Sequence, residues 1–267
     1  MRLTRRTFLV TGLAFCFAAL CFSLGAWYTQ RRFENRIAAA LQAQSALATQ
    51  VTHHLTSEMG LMPLSMLRDR RNSFVEVNAY DELGVMRYST AGYLGNGYFI
   101  TVKHGVMALN EEQSPTASIT VLYKNKQIPA TVVDSGTADA EVHPGDWAII
   151  KVDHAIDLPP LTVDVDYAYD FAAPIFRLGN DYSKGIILST GYIGQRTANG
   201  LVTSLTDGHP GVSGGGVLNQ EGNLVGIPIG RMEADYRFSF ILPIRAEMFR
   251  KVPPVATDAV ALATTGS

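Results

Sequence analysis

Residues 210–219 read PGVSGGGVLN, and this glycine-rich stretch around Ser213 is the most informative part of the sequence. A serine nucleophile must be approached closely, and two backbone N–H groups must point toward the negative charge that develops on the attacked carbonyl oxygen. Glycines on both sides permit that approach and the unusual backbone angles it requires. The stretch therefore indicates a nucleophilic serine, although a glycine-rich hairpin with an incidental serine has the same pattern.

Two earlier segments contain the side chains that such a serine needs. Residues 95–106, GNGYFITVKHGV, are an apolar strand pattern that ends just before His104. Residues 145–152, GDWAIIKV, place Asp146 at the start of a second apolar strand, where a carboxylate is costly to bury without a hydrogen-bonding partner. Asp146 is therefore the candidate that orients the imidazole. The competing acids lie in more polar surroundings that are typical of solvated turns: Asp134, Asp139 and Asp153.

The body of the chain, residues 63–252, reads as short β-rich runs separated by Asn, Asp, Gly and Pro. The predicted strands are 74–80, 98–102, 118–123, 128–133, 147–152, 175–178, 186–193, 201–204, 224–229 and 238–242. This spacing favours an all-β barrel or sandwich. The order His, Asp, Ser along an all-β chain is that of the chymotrypsin-like barrels, because subtilisin-like and α/β-hydrolase enzymes use other orders. We therefore expect an all-β, chymotrypsin-like double six-stranded antiparallel β-barrel, preceded by an N-terminal transmembrane or stalk helix.

The three segments resemble those of trypsin-like serine peptidases, and most closely the bacterial HtrA type. In that type the His follows a Gly-x-Gly-aromatic-x-x-Thr strand, the Asp begins an Asp-x-Ala-aliphatic-aliphatic-Lys-Val strand, and the Ser lies in Gly-x-Ser-Gly-Gly. Residues 219–227, NQEGNLVGI, and 238–244, FSFILPI, resemble later parts of the same domain. The resemblance covers about residues 74–250.

The resemblance implies a serine endopeptidase that cleaves protein or peptide substrates without a cofactor. His104 would be the general base, Asp146 its orienter and Ser213 the nucleophile, with the N–H groups of Gly211 and Ser213 as the oxyanion hole. The alternative is a catalytically inactive, membrane-anchored module that binds a peptide or protein partner in the same cleft. We expect no metal site, because the remaining candidate ligands lack recognisable metal-ligand spacing: His143, His154 and nearby Asp residues.

The substrate-binding pocket leaves two interpretations open. Asp207 lies six residues before Ser213, where trypsin itself carries the acid that selects Arg or Lys. The HtrA type has a Thr-Asp pair slightly earlier in a longer loop, and Thr206 and Asp207 also fit that pair, which favours a small or aliphatic preference. The residues expected at the edge of the pocket are Ile227, Pro228 and Ile229. His209 would overhang the cleft, although a loop His without a role is the commoner case.

Two features depart from the HtrA pattern. Val212 stands where the family usually has Asn or Asp, and in the digestive enzymes that Asp pairs with a new N-terminus after zymogen cleavage. We therefore do not expect that activation route. Little chain follows residue 250, so we expect no PDZ domain and interpret residues 253–267 as a flexible tail.

Residues 1–30 read as a membrane address. Arg2, Arg5 and Arg6 precede an apolar stretch at 8–28, about as long as a ~30 Å hydrocarbon layer requires. The length favours a retained anchor over a cleaved signal peptide, and the paired arginines also resemble a twin-arginine export signal. A plain positively charged flank explains these arginines equally well, and both explanations place the N-terminus in the cytoplasm and the body of the chain outside. We therefore expect a single-pass bacterial inner-membrane protein with the catalytic domain in the periplasm or outside the cell.

The next segment, residues 31–62, is expected to be a stalk helix. Its apolar residues recur at spacings of three, four or seven among Ala, Gln and Glu. A stripe of this kind packs on its own domain or on a second copy, which makes a homo-oligomer a further hypothesis.

The bulk composition excludes several function classes. The net charge of −2 gives no basic field, so we expect no nucleic-acid partner. Both cysteines, Cys16 and Cys21, lie in the apolar N-terminal stretch, which excludes a thiol nucleophile and a cysteine-based metal site in the body of the chain.

Overall fold

The computed structural model describes residues 5–58, 60–181, 185–206, 209–232 and 235–253. The chain divides into two compact units, Met1–Glu58 and Met59–Ser267. The second unit contains the predicted catalytic domain at 63–252. The predicted tail lies outside the described residues except for residue 253.

The first unit is a single α-helix, α1, which runs from Arg5 to Glu58 without a break. One helix therefore covers both the predicted anchor and most of the predicted stalk, because Ala and Leu are its commonest residues and no proline interrupts it. Large apolar side chains of this helix are exposed, including Phe22 and Phe33. In the part of the chain that the structure describes, no helix combines the length and the apolar character needed to cross a bilayer.

The second unit begins with a short helix, α2 (Leu64–Arg71), followed by a first closed barrel. The strands of this barrel are β1 (Phe74–Asp81), β2 (Met86–Gly95), β3 (Tyr98–Thr101), β4 (Thr116–Tyr123), β5 (Lys126–Ser135) and β6 (Ala148–Val152). They are hydrogen-bonded in the order β1-β2-β3-β6-β5-β4, and every pair is antiparallel.

A second closed barrel follows, and a short 3₁₀ helix at Ala246–Phe249 comes after it. Its strands are β7 (Pro174–Asn180), β8 (Ile186–Arg196), β9 (Val202–Leu205), β10 (Gly216–Leu218), β11 (Leu224–Met232) and β12 (Asp235–Pro243). Their order is β10-β11-β12-β9-β8-β7, again antiparallel throughout. The predicted pair of six-stranded antiparallel barrels is confirmed.

Buried apolar side chains fill each barrel and the space between the two. Val77, Phe99 and Ile150 belong to the core of the first barrel, and Val202 and Val225 to that of the second. A third cluster contains residues from both barrels, including Phe74, Ile100, Ile149, Leu218 and Leu224. Burying a side chain of this size stabilises the fold by about 1.5–3 kcal/mol. This shared core holds the two barrels together and brings loops of both to one cleft.

Candidate active site

His104 and Asp146 meet because their strands are neighbours in the first barrel. β3 pairs antiparallel with β6, with Thr101 opposite Ala148. His104 follows the end of β3 by three residues, and Asp146 precedes the start of β6 by two. Since the end of one antiparallel strand lies beside the start of its partner, both residues lie at the same edge of the barrel.

The carboxylate of Asp146 binds His104 through both oxygens. Oδ1 accepts the backbone N–H of His104 at 3.0 Å, and Oδ2 lies 2.6 Å from Nδ1 of the imidazole. The Asp146 side chain is fully buried, whereas 16% of the His104 side chain is exposed. Because a carboxylate only accepts hydrogen bonds, Nδ1 carries the proton and Nε2 of neutral His104 is left as a base.

The pKa of His104 is raised above its usual value of 6.5. Burial, the largest single influence, lowers the pKa because it disfavours the charged imidazolium. The hydrogen bond to Asp146, the negative charge of Asp146 and the charge of Glu141 together outweigh burial, and Arg87 opposes them. The surroundings therefore favour the imidazolium that a general base becomes after it accepts a proton.

Ser213 lies in a tight loop between β9 and β10 that depends on its glycines. Gly211 and Gly214 have φ angles of +92° and +80°, which residues with side chains adopt rarely. A Cβ atom on Gly214 would lie 2.3 Å from the carbonyl oxygen of Thr90 and 2.4 Å from Oγ1 of Thr101. The glycines thus permit the close contact between this loop and the first barrel.

Ser213 and His104 line one cleft of about 480 Å³. The remaining lining residues are Tyr88, Glu141, Val142, Arg177, His209, Pro210, Gly211, Val212, Pro228, Ile229, Gly230 and Arg231. Within the described part of the chain, the Ser213 hydroxyl makes no hydrogen bond to His104 or to any other group. Catalytic hydrogen bonds are often long or poorly aligned in ligand-free enzymes and shorten when substrate binds.

The backbone beside Ser213 offers two N–H donors. Among the described residues, neither the N–H of Gly211 nor that of Ser213 has an acceptor. The neighbouring N–H groups of Val212 and Gly214 are bonded, to the carbonyl oxygens of His209 at 3.4 Å and Pro228 at 2.9 Å. The two donors that the family resemblance implies are therefore the ones for which the described loop provides no acceptor.

The structure separates the residues predicted to bind substrate. His209, Pro228 and Ile229 line the cleft, and the His209 side chain is exposed. Ile227 does not line it and lies fully buried in the cluster shared by the two barrels. Asp207 lies outside the described residues.

Arg177 is a cleft residue that the sequence analysis missed. It is only 2% exposed, although it is an arginine in the middle of β7, and its guanidinium donates to the hydroxyls of Ser189 at 3.1 Å and Thr206 at 3.4 Å. A charged residue inside an otherwise apolar strand, PIFRLGN, is the same signal that identified Asp146.

His143, one of the two histidines considered as metal ligands, already bonds to the backbone. His143 Nδ1 accepts the backbone N–H of Gly145 at 3.0 Å. Across the residues that the structure describes, no group of three or more His, Cys, Asp or Glu side chains could hold a metal ion.

Solved proteases share this double-barrel fold. The serine endoprotease from Yersinia pestis is similar with a TM-score of 0.55 and 23% identity, covering 67% of this chain and 61% of that one. For the active form of the Rv3671c protease from M. tuberculosis the TM-score is 0.56 at 21% identity, covering 69% and 80%. The HtrA-type protease AlgW with tripeptide has a TM-score of 0.56 at 18% identity, covering 67% and 58%. The chain therefore spans about three fifths of the length of the first and third of these proteins.

The family assignment comes from the sequence match. No curated protein is similar enough in sequence to count as a match. Residues 84–227, more than half of the chain, match the trypsin-like peptidase domain, and this range contains His104, Asp146 and Ser213. The predicted resemblance to trypsin-like peptidases is confirmed: the chain belongs to the family of trypsin-like peptidase domains.

Proposed function

We propose that this protein is a serine endopeptidase in which Ser213 is the nucleophile. The observation that carries the proposal is the doubly hydrogen-bonded pair of His104 and Asp146, which borders the same cleft as Ser213. A buried carboxylate on Nδ1 leaves Nε2 as the base for a serine hydroxyl, and the unused N–H groups of Gly211 and Ser213 suit an oxyanion.

The reaction proceeds in two halves. The Ser213 oxygen attacks the scissile carbonyl carbon while His104 accepts the hydroxyl proton, and the N–H groups of Gly211 and Ser213 bind the oxyanion. His104 then gives the proton to the leaving amine as the C–N bond breaks, which leaves an acyl group on Ser213. A water molecule, deprotonated by His104, attacks this ester, and the proton returns to Ser213 as the acid product leaves.

The experiment is a substitution of Ser213 with a matched serine elsewhere as the control. Ser213→Ala abolishes both the hydrolysis of a quenched fluorescent peptide library and the reaction with a fluorophosphonate probe. Ser118→Ala, which changes an exposed serine on β4, leaves both unchanged. Wild-type rates in the Ser213→Ala variant contradict the proposal.

For specificity we propose a small or aliphatic side chain on the residue before the scissile bond. Val212, Pro228 and Ile229 contribute apolar lining to the cleft. Asp207 supports the opposite choice by its position in the sequence. A peptide library cleaved mainly after Arg and Lys overturns the aliphatic choice.

One observation favours the second candidate function, an inactive module that binds peptides in the cleft. Among the described residues, the Ser213 hydroxyl has no bond to the imidazole. The two functions differ in a simple test. The inactive module binds peptides without hydrolysing them and does not react with the fluorophosphonate. The peptidase hydrolyses peptides and reacts with the fluorophosphonate.

For location we propose that α1 anchors the protein in a bacterial inner membrane, with the barrels in the periplasm or outside the cell. The apolar stretch at 8–28 with its preceding arginines supports this. The exposed apolar stripe farther along α1, including Phe33, Leu41 and Val51, supports pairing with a second copy. Carbonate extraction of cell membranes retains the full-length chain if the anchor is real, and release into the soluble fraction contradicts it.

A further inference from the structure

The loop that carries Ser213 is held by a residue of the other barrel, Thr90 on β2. The backbone N–H of Thr90 donates to the carbonyl oxygen of Ser213 at 2.9 Å. The hydroxyl of the same residue donates to the carbonyl oxygen of Gly211 at 2.7 Å. One residue thus binds the loop on both sides of Val212.

The direction of the hydroxyl bond is determined by a third contact. The backbone N–H of Asn180, at the end of β7, donates to Oγ1 of Thr90 at 2.8 Å. Because Oγ1 already accepts there, its own proton is available for the carbonyl of Gly211. Thr90 is 0% exposed, so water does not compete for either bond. The Asn180 side chain is also held, since its Nδ2 donates to Glu76 at 2.9 Å.

These bonds act on the groups that would form the oxyanion hole. The N–H of Ser213 belongs to the peptide between Val212 and Ser213, and Thr90 holds the carbonyl groups of the peptides on either side of it. Gly211 has a φ of +92°, a conformation that a glycine leaves easily unless its neighbours restrain it. Val212 is an uncharged, buried side chain, so an ion pair at this position cannot hold the loop.

We propose that Thr90 is a positioning residue whose hydroxyl holds the carbonyl of Gly211 and thereby keeps the N–H groups of Gly211 and Ser213 aimed at the oxyanion. This inference rests on the proposed peptidase function. It assigns to the first barrel a role in orienting the loop of the second. The donors are set before substrate arrives, without an ion pair at Val212.

The experiment compares two buried threonines. Thr90→Val removes the hydroxyl and keeps the shape of the side chain. Thr101→Val is the matched control, because the Thr101 hydroxyl is equally buried and donates at 2.7 Å to the carbonyl oxygen of Thr90, not to the loop. Thr90→Ser keeps a hydroxyl in place and tests for rescue.

The expected result separates positioning from stability. Removing one oxyanion donor costs about 10²–10³ in kcat in other enzymes, and misdirecting the donors should cost about 10- to 100-fold. Thr90→Val therefore lowers kcat by that factor with little change in KM, and it weakens inhibition by a peptide boronic acid to the same extent. Both valine variants lower Tm similarly. Thr101→Val loses clearly less kcat than Thr90→Val, because the Thr101 side chain packs beside Gly214 but makes no hydrogen bond to the loop, and Thr90→Ser restores most of the lost kcat.

The outcomes distinguish this inference from the function on which it rests. If the wild type is active and Thr90→Val loses no more kcat than Thr101→Val, the positioning role is wrong and the peptidase function stands. The same holds if Thr90→Ser is as impaired as Thr90→Val. A wild-type chain that neither hydrolyses peptides nor reacts with fluorophosphonate overturns both.

Discussion

The two barrels differ in how far their cleft residues are hydrogen-bonded. On the first barrel, both oxygens of Asp146 are bonded to His104, and the carboxylate is fully buried. On the second barrel, in the region that the structure describes, the Ser213 hydroxyl and the N–H groups of Gly211 and Ser213 have no partners. If the proposed function holds, the base is assembled in the absence of substrate, while the proposed nucleophile and oxyanion donors are left for the substrate to engage.

The largest expected effect comes from disrupting the hydrogen-bonded pair of His104 and Asp146 on the first barrel. In Asp146→Asn, the amide oxygen can still accept the His104 N–H, but the amide nitrogen donates to Nδ1 and moves the imidazole proton to Nε2. Nε2 then cannot accept the Ser213 proton, and we expect kcat to fall by about 10⁴, as wrong tautomers do in related triads. The measurement is steady-state hydrolysis of a peptide substrate.

The control for this variant is Asp153→Asn. Asp153 lies just after β6 and pairs with Lys151, but its side chain is 83% exposed. Exposed ion pairs contribute little, so activity and stability stay near wild type. Equal activity in the two variants would show that the His–Asp pair has only a structural role.

A smaller effect is expected where the Ser213 loop packs against the first barrel. Gly214→Ala places a Cβ against backbone and side-chain atoms of the first barrel, and it also strains a φ of +80°. Gly200→Ala has the same backbone strain at φ +86° but has no atom within 4 Å of the added Cβ. We expect a loss of about 1 kcal/mol in the free energy of unfolding for Gly200→Ala and about 1–3 kcal/mol more for Gly214→Ala.

Urea denaturation of the two glycine variants measures this difference. Peptide hydrolysis should fall only in Gly214→Ala, because that loop carries the proposed nucleophile. Equal unfolding free energies in the two variants would mean that the loop does not pack against the first barrel as described.

The smallest effect concerns pH. Because the pKa of His104 is raised above 6.5, the neutral base forms only as pH rises through that higher value, so kcat/KM should increase with a midpoint above 6.5. Glu141 is one of the causes that raise the pKa, and Glu141→Gln should therefore lower the midpoint. The decrease should be small and should shrink with salt, because Glu141 is exposed.

The raised pKa of His104 also makes the stability of the fold depend on pH, and stability falls over the pH range in which activity rises. A pKa that is higher in the folded than in the unfolded state stabilises the fold fully below the unfolded value, and this contribution is lost as pH rises through the folded value. Glu112→Gln, which removes an exposed acid elsewhere, is the control for both pH profiles. If Glu141→Gln leaves the midpoint unchanged, Glu141 does not contribute to the raised pKa of His104.

Most strands of both barrels were predictable, because their apolar residues recur clearly, as in β1. Two strands were missed. β2 has Ser89, Thr90 and Gly92 in place of large apolar residues. Thr90 is buried against the Ser213 loop, Ser89 lies beside Gly105, and Gly92 lies against Leu161 and Phe74, so each position accommodates the close approach of another segment. β10 has only three residues, Gly216–Leu218, which is too short for any periodicity.

The candidate site was predictable where local sequence determines it. His104 and Asp146 stand next to apolar strands, and the glycines mark the loop of Ser213. Arg177 has a comparable signal, a charged residue inside the apolar strand β7. The role of Thr90 depends instead on its contact with Gly211, which is far away in the sequence. One chain alone carries no local signal for such contacts.

A catalytic centre shared by the two barrels can be tested by the mass of the intact protein after treatment with a fluorophosphonate. We expect one adduct per chain, located on Ser213 by peptide mapping, and its near-complete loss in His104→Ala because the hydroxyl then lacks its base. An adduct on another residue, or one that forms equally fast without the imidazole, would contradict the claim that the two barrels form one catalytic centre.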